Sequence, residues 1–216
     1  EAGQPAVGDL FEYSKNQAPK HIVDQANEHH MPVLNYLEEL ASHIKIEEQH
    51  VVVLDWLNGN RSILSNSHLT GSIFGLTLQT PYEMIHRAYI EATAFGTKLI
   101  MKQFEDNHIP VHTVYASGGI PQKSKLLVEI YANVLNKKVV VLDSSNASAL
   151  GAAMLGATVG NAYSTLKEAA LSMKQPIAYI QEPEFQKVQA YEPLYHKYCE
   201  LHDLLGRQYP ELSYLI

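Results

Sequence analysis

The segment Val114–Ser124, VYASGGIPQKS, joins a short apolar run to two adjacent glycines and a Lys-Ser pair. Val111 to Ser117 predicts a strand, and Lys123 to Leu135 predicts a helix with apolar residues at helical spacing. A second apolar run, Val139 to Leu142, ends at Asp143 and has the composition of a parallel strand buried on both faces. This alternation predicts an α/β fold with right-handed crossovers.

The glycine pair matches neither of the two common phosphate-binding motifs. A P-loop needs a glycine directly before Lys-Ser, and Gln122 occupies that position. A dinucleotide-binding turn needs G-x-G-x-x-G, which is absent, although Asp143 lies where a ribose-binding acid would be expected; this remains the weaker alternative. The favoured interpretation is that Gly118 and Gly119 present bare backbone to a ligand at the carboxyl end of a strand.

The segment after Asp143 is unusually poor in bulky side chains. Asn146 is expected to cap a helix, ASALGAAMLGATVG, that contains Gly151, Gly156 and several alanines. Such a helix either packs tightly on the sheet or leaves room beside a ligand. Its composition alone favours tight packing.

Other helices follow from apolar spacing and capping signals. Helices are expected to start over Ala6 to Tyr13 and continue over Gln17 to Ala26, and a further helix is expected from Val33 to Ile44. The clearest one should have Thr80 as its N-cap, Pro81 at its first position, Glu83 completing a capping box, and its end near Asn107. A tail helix from Pro183 carries a Tyr191, Tyr195, Tyr198 stripe, with Pro193 expected in its first turn.

Upstream of the long helix, Val51 to Leu54 predicts a short buried strand that leads into DWLNGNRS. Trp56, Asn58, Asn60 and Arg61 in this segment either face a ligand cleft or form a structural turn around a buried tryptophan. Asp55 is expected to be a solvated acid at the end of the strand.

The composition limits the class of protein. The 216 residues are 46% apolar and 18% charged, so the chain can bury a sizeable core. A net charge of −7 without a basic stripe argues against nucleic acid as a partner. No apolar run could span a bilayer, so no membrane partner is expected. The single cysteine, Cys199, predicts a reducing, cytoplasmic location.

Three side chains of the predicted tail helix allow a weak metal-binding alternative. His196, Cys199 and His202 step by three along the predicted tail helix, but no fourth ligand accompanies them, and we expect no metal site.

Taken together, several motifs resemble the FGGY carbohydrate kinases, relatives of hexokinase and actin. ASGGIPQKS followed by NASALGAAMLGA is similar to the adenosine-binding half of that family. GSIFGLTLQTPYEMIHRAYIEATAFG is similar to the family's C-terminal signature at Gly71, Ile73, Gly75, Leu76, Ala88 and Glu91, with Met84 as a departure. EAGQPAVGDLFEY and LDWLNGNRS are closer still to the branch that phosphorylates L-ribulose.

The resemblance implies ATP-dependent, Mg²⁺-assisted phosphorylation of a sugar hydroxyl in a cleft between two actin-like (ribonuclease H-like) domains. Residues 1–216 would form the second, nucleotide-side domain. The N-terminal sugar-binding domain and the first strands of this domain would lie outside the chain. The catalytic aspartate and phosphate loops would lie there too, so no catalytic residue is expected here and the chain alone should be inactive. ATP or ADP and a sugar are the expected partners, and a homodimer is left open.

The same resemblance implies which residues contact the nucleotide. Gly119 corresponds to the glycine that faces the nucleotide, and Lys123 to a position that approaches the adenosine. Gly8 and Glu12 occupy a Gly-x-x-x-Gln element, where the glutamate replaces the usual glutamine and can only accept hydrogen bonds when ionised. Gly118 and Gln122 complete the expected nucleotide-binding set.

Overall fold

A computed structural model of the chain describes residues 2–144 and 146–214. Its helices are α1 Val7–Asn16, α2 Lys20–Glu28, α3 Val33–Ser42, α4 Tyr82–Asp106, α5 Gly119–Lys123, α6 Lys125–Leu135, α7 Ala147–Val159, α8 Leu166–Met173 and α9 Phe185–Asp203. The strands are β1 Val52–Leu54, β2 Ser72–Phe74, β3 Thr113–Ala116, β4 Lys138–Leu142 and β5 Ile177–Gln181. Short helical turns cover Ile46–Glu48, Leu204–Gln208 and Pro210–Ser213.

The strands form two small sheets. β1 and β2 pair antiparallel, with Val53 opposite Ile73. The larger sheet has the order β3-β4-β5, in which β3 runs parallel to β4 and β5 runs antiparallel to it. The predicted α/β unit is therefore confirmed, but β5 makes the sheet mixed. Within the described residues β3 is an edge strand of this sheet.

Helix α4 runs through the hydrophobic core and is buried on almost every side from His86 to Gly96. Its end near Asn107 is confirmed, but the predicted capping box is wrong. The helix begins at Tyr82 with Pro81 at the N-cap and no side-chain cap. The Thr80 hydroxyl instead accepts a hydrogen bond from the Thr77 N–H at 2.9 Å, so the preceding loop uses the group that would have capped the helix.

A buried ionic network joins α4 to its neighbours. Arg87 donates to the Glu91 carboxylate at 2.8 Å, to the Ala41 carbonyl at 2.9 Å and to the Tyr191 hydroxyl at 2.8 Å. Gln49 and Tyr191 donate to Glu91 at 3.1 and 3.2 Å. Burial raises the pKa of Glu91, and Arg87 opposes that shift. These donors favour the ionised form of the carboxylate, against the effect of burial.

The tail helix α9 packs its tyrosine stripe on α4. Tyr191 and Tyr198 are each 1% exposed, and the rings of Tyr191, Tyr195 and Tyr198 all lie against Phe95. The placement of Pro193 in the first turn is wrong, because α9 begins at Phe185 and the proline lies inside the helix. Pro193 has no N–H to donate to the preceding turn, so the helical ladder is interrupted there.

The tight packing that the composition of α7 favoured is not found. No residue of α7 is buried, and a Cβ added at Gly151 or Gly156 would meet no atom within 4 Å. The helix packs against α8 instead. Its small residues leave open space beside Gly151 and Gly156.

None of the helices in residues 2–144 and 146–214 is both long enough and apolar enough to cross a membrane.

Candidate functional site

The glycine pair lies in the turn between β3 and α5, at the carboxyl end of the strand. Gly118 has φ 97° and ψ −178°, a conformation that is essentially restricted to glycine. Its N–H donates to the Ser144 carbonyl at 3.0 Å, beyond the end of β4. A Cβ at Gly118 or Gly119 would meet no atom within 4 Å, so this stretch of backbone is open to an incoming molecule.

One hydrogen bond to β4 and one from β5 fix this turn. The Gln122 amide nitrogen donates to the Leu142 carbonyl at 3.1 Å, and the Tyr179 hydroxyl donates to the Pro121 carbonyl at 2.8 Å. The predicted helix over 123–135 is divided here, because Ser124 caps α6 by accepting from the Leu127 N–H at 3.1 Å. Lys123 remains exposed at the end of α5.

Helix α1 reaches the same place from the other end of the chain. A Cβ at Gly8 would lie 3.6 Å from Cδ1 of Ile120, the residue after Gly119. Glu12, one turn further along α1, is exposed and forms an ion pair with Lys15. The hydrogen bond from Lys15 lowers the pKa of Glu12, so the carboxylate is ionised and can only accept. The two glycine elements that the sequence singled out are thus brought together.

A cavity of about 640 Å³ adjoins the turn. Its lining is mainly apolar, and Ser144, which bonds to Gly118, belongs to it. The other residues come from β3, β4, the first turns of α7, the segment before β5 and the first residue of β5: Tyr115, Leu142, Ala147, Leu150, Gly151, Met154, Lys174, Gln175, Pro176 and Ile177. Asn146 stands at the N-cap position of α7, where it makes no side-chain capping hydrogen bond, and it precedes this lining.

Sequence reasoning did not identify this cavity. In the sequence, only the small residues of α7 indicated such a cavity. The pairing of β5 with β4 brings residues 174–177 to it, and β5 was not predicted.

The DWLNGNRS segment divides into buried and exposed residues. Trp56 is 1% exposed and its ring lies 5.4 Å from that of His202. Asn60 is 7% exposed, and its Oδ1 accepts from the Leu64 N–H at 3.0 Å. Asn58 and Arg61 are exposed. Trp56 and Asn60 therefore stabilise a structural turn, whereas Asn58, Arg61 and the neighbouring Leu57 present side chains at the surface.

The expectation that Asp55 is solvated is wrong. Asp55 is 9% exposed, and burial raises the pKa of its carboxyl to about 7. A hydrogen bond from the Asp55 backbone N–H and the Tyr198 hydroxyl, at 3.5 Å, partly oppose that shift. This burial depends on α9, which is far away in the sequence.

Residues 2–144 and 146–214 contain no group of three or more His, Cys, Asp or Glu side chains arranged to hold a metal ion. His202 Nδ1 faces the Asp203 carboxylate at 3.3 Å, and burial lowers the pKa of this histidine.

Known proteins match both the sequence and the fold. A ribulokinase of Staphylococcus epidermidis is 97% identical over 216 residues, which are 100% of this chain and 40% of that protein. Ribulokinase 1 of Staphylococcus saprophyticus is 69% identical over 215 residues, again 100% of this chain and 40% of that protein. The chain thus spans 40% of the length of these curated relatives.

Solved structures share the fold at low sequence identity. A ligand-bound xylulose kinase of Lactobacillus acidophilus superposes with a TM-score of 0.78 and 20% identity, over 95% of this chain and 39% of that one. A Plasmodium falciparum glycerol kinase with ADP gives a TM-score of 0.61 and 20% identity, over 77% of this chain and 33% of that one. The expected kinase-domain fold is confirmed.

Residues 1–159 match the model of the FGGY family of carbohydrate kinases, C-terminal domain. With the relatives above, this match establishes that the chain belongs to the FGGY family of carbohydrate kinases.

Proposed function

We propose that residues 1–216 are the nucleotide-side domain of an ATP-dependent sugar kinase that converts L-ribulose and ATP into L-ribulose 5-phosphate and ADP, a step of L-arabinose breakdown. The name of the 97% identical relative, ribulokinase, supports this substrate. The nucleotide role rests on one observation. A Cβ at Gly8 would lie 3.6 Å from Ile120, so the Gly8 end of α1 lies beside the open backbone of Gly118 and Gly119.

The adenosine would rest on Gly118 and Gly119. Bare backbone lets a flat ring approach closely, and the adjoining cavity of about 640 Å³ offers apolar surface of the kind that purine-sized ligands use. Gln122 would act mainly by fixing the turn, because its amide nitrogen is engaged by Leu142. Lys123, exposed beside the turn, can reach a ligand there. Glu12 would accept a hydrogen bond from a ribose hydroxyl rather than donate one.

The rest of the machinery would lie outside this chain. Phosphoryl transfer needs Mg²⁺, phosphate-binding loops and a carboxylate near the attacking hydroxyl. No acidic cluster suited to a metal is found in the described part of the chain, so Mg²⁺ would be held mainly by residues elsewhere in the protein. The first strands of this domain and a sugar-binding domain would complete it, and the unpaired edge of β3 supports an added strand. The chain alone would be inactive.

Another pentulose or polyol kinase activity is the second candidate. The structural likeness to a xylulose kinase favours it only at the level of fold, given 20% identity. A non-catalytic nucleotide-binding module on the same fold is a third candidate, and a missing catalytic aspartate in the remaining sequence would support it.

A substrate panel on the full-length protein tests the proposal. ADP release is measured with L-ribulose, D-ribulose, D-xylulose, ribitol and glycerol, with residues 1–216 alone as the matched control. We expect L-ribulose to give the highest kcat/KM and the isolated chain to give none. Activity confined to D-xylulose or glycerol would refute L-ribulose as the substrate. ATP-dependent phosphorylation by residues 1–216 alone would refute the proposal that the catalytic residues lie outside this chain.

A further inference from the structure

Asp55 lines a small, partly enclosed cavity where three distant parts of the chain meet. The cavity, of about 10 Å³, is large enough for roughly one water molecule. Asp55 and Trp56 form one wall, Tyr198 and His202 of α9 another, and Gln4 of the N-terminal segment a third. The carboxyl is therefore largely enclosed.

Few groups stabilise a negative charge on this carboxyl. Within the described residues its side-chain donor is the Tyr198 hydroxyl, at the long distance of 3.5 Å, and the backbone N–H of Asp55 itself also bonds to it. The indole N–H of Trp56, which lines the same cavity, is buried and has no acceptor among the described residues. Burial raises the pKa of Asp55 to about 7, in agreement with this sparse set of partners.

The elements packed around Asp55 bring no described cation to the cavity. Helix α9 contributes Tyr198 and His202, and burial lowers the pKa of the histidine, which disfavours its charged form. From α6, Tyr131 interacts with the Asp55 charge, and burial raises the pKa of that tyrosine. Helix α4 contributes only Gly96 and Leu99. Ionisation of Asp55 would thus place an uncompensated charge in the cavity.

The loop that follows Asp55 depends on the same contacts. The Gly3 N–H donates to the Ser62 hydroxyl at 3.1 Å, and the Thr97 hydroxyl donates to Gln4 Oε1 at 3.1 Å. The N-terminal segment is thereby tied both to α4 and to residues 56–66, the loop that exposes Asn58 and Arg61. A charge on Asp55 would disturb all three elements at their common point.

We propose that Asp55 is a positioning residue: as a neutral acid it holds loop 56–66 against α9 and the N-terminal segment, and its ionisation loosens that loop. The effect on catalysis rests on the proposed function, because it requires Asn58 and Arg61 to face the sugar cleft. The protein should then bind sugar more tightly on the acidic side of neutrality.

Fluorine NMR of the full-length protein, labelled with 5-fluorotryptophan, tests the proposal directly. The Trp56 resonance is the one that disappears in Trp56→Phe. We expect it to shift between pH 5 and 9 with one midpoint within about one unit of 7, since Asp55 titrates there. The shift should vanish in Asp55→Asn and persist in His202→Gln, which removes the other titratable neighbour of the indole. A resonance that does not move, or a titration lost in His202→Gln, overturns the proposal even if Asp55→Asn fails to fold.

Sugar kinetics then separate positioning from stability. The KM for L-ribulose should rise several-fold from pH 6 to pH 8.5 in the wild type, beyond any rise in Asp55→Asn, with kcat little affected. Equal pH profiles would overturn the positioning role while leaving the kinase function intact. Absence of any sugar kinase activity would overturn the proposed function and the positioning role together, whatever the fluorine spectra show.

Discussion

Removing Arg87 should destabilise α4 far more than removing an exposed cation from the same helix. Arg87→Met deletes hydrogen bonds of 2.8, 2.9 and 2.8 Å to Glu91, Ala41 and Tyr191, and it leaves the Glu91 carboxylate only 1% exposed. An uncompensated buried charge of this kind costs about 3–5 kcal/mol of unfolding free energy. Because Gln49 and Tyr191 still donate to Glu91, we expect about 3 kcal/mol.

The matched control is Lys102→Met, which breaks the exposed Lys102–Asp106 pair at 3.0 Å and should cost about 0.5 kcal/mol or less. Replacing both buried partners, in Arg87→Met/Glu91→Leu, leaves no charge and should cost less than the sum of the single changes. Hydrogen exchange of peptides from α4, measured by mass spectrometry on the full-length protein, gives these free energies locally. The reasoning is refuted if Arg87→Met costs no more than Lys102→Met, or if the two buried substitutions are additive.

Three further substitutions test separate parts of the structure. The raised pKa of Asp55, about 7 against an ordinary 3.8, means that the folded state holds a proton that the unfolded state releases, so stability falls as pH rises from about 4 to 7. Near 1.4 kcal/mol per unit, this reaches at most about 4 kcal/mol, and urea unfolding of Asp55→Asn should lack that decline. Gly118→Ala, at φ 97°, should cost about 1–3 kcal/mol in backbone strain and weaken ADP binding measured by calorimetry; unchanged affinity would argue against a nucleotide site there. Ser124→Ala removes the cap on the Leu127 N–H and should lower the unfolding free energy by about 1 kcal/mol; an unchanged denaturation midpoint would contradict that assignment.

The elements that could be predicted from the sequence are those with strong local periodicity. β4 is an uninterrupted apolar strand because both its faces are buried, and the end of α4 at Asp106 followed directly from Asn107. β5 escaped prediction because three of its five residues are exposed, so it shows no clear alternation. The start of α4 was misplaced because Thr80 bonds backward to Thr77 rather than forward into the helix.

Only part of the candidate site could be predicted from the sequence. The glycines of the β3–α5 turn could be found from the sequence, because the conformation of Gly118 requires glycine and its position follows a strand. The cavity could not, since Pro176 and Ile177 reach it only through the antiparallel pairing of β5 with β4. The burial of Asp55 likewise depends on Tyr198, 143 positions away, and no local pattern reports a contact over that distance.

Helix α7 has a practical consequence for work with residues 1–216 alone. Leu155 and Val159 are 56% and 83% exposed on a helix that has no charged side chain. A helix that is apolar on every side normally lies within a larger assembly. The isolated polypeptide should therefore bind dyes such as ANS and self-associate as its concentration rises. In the full-length protein, other segments would cover this helix, and neither effect should be seen.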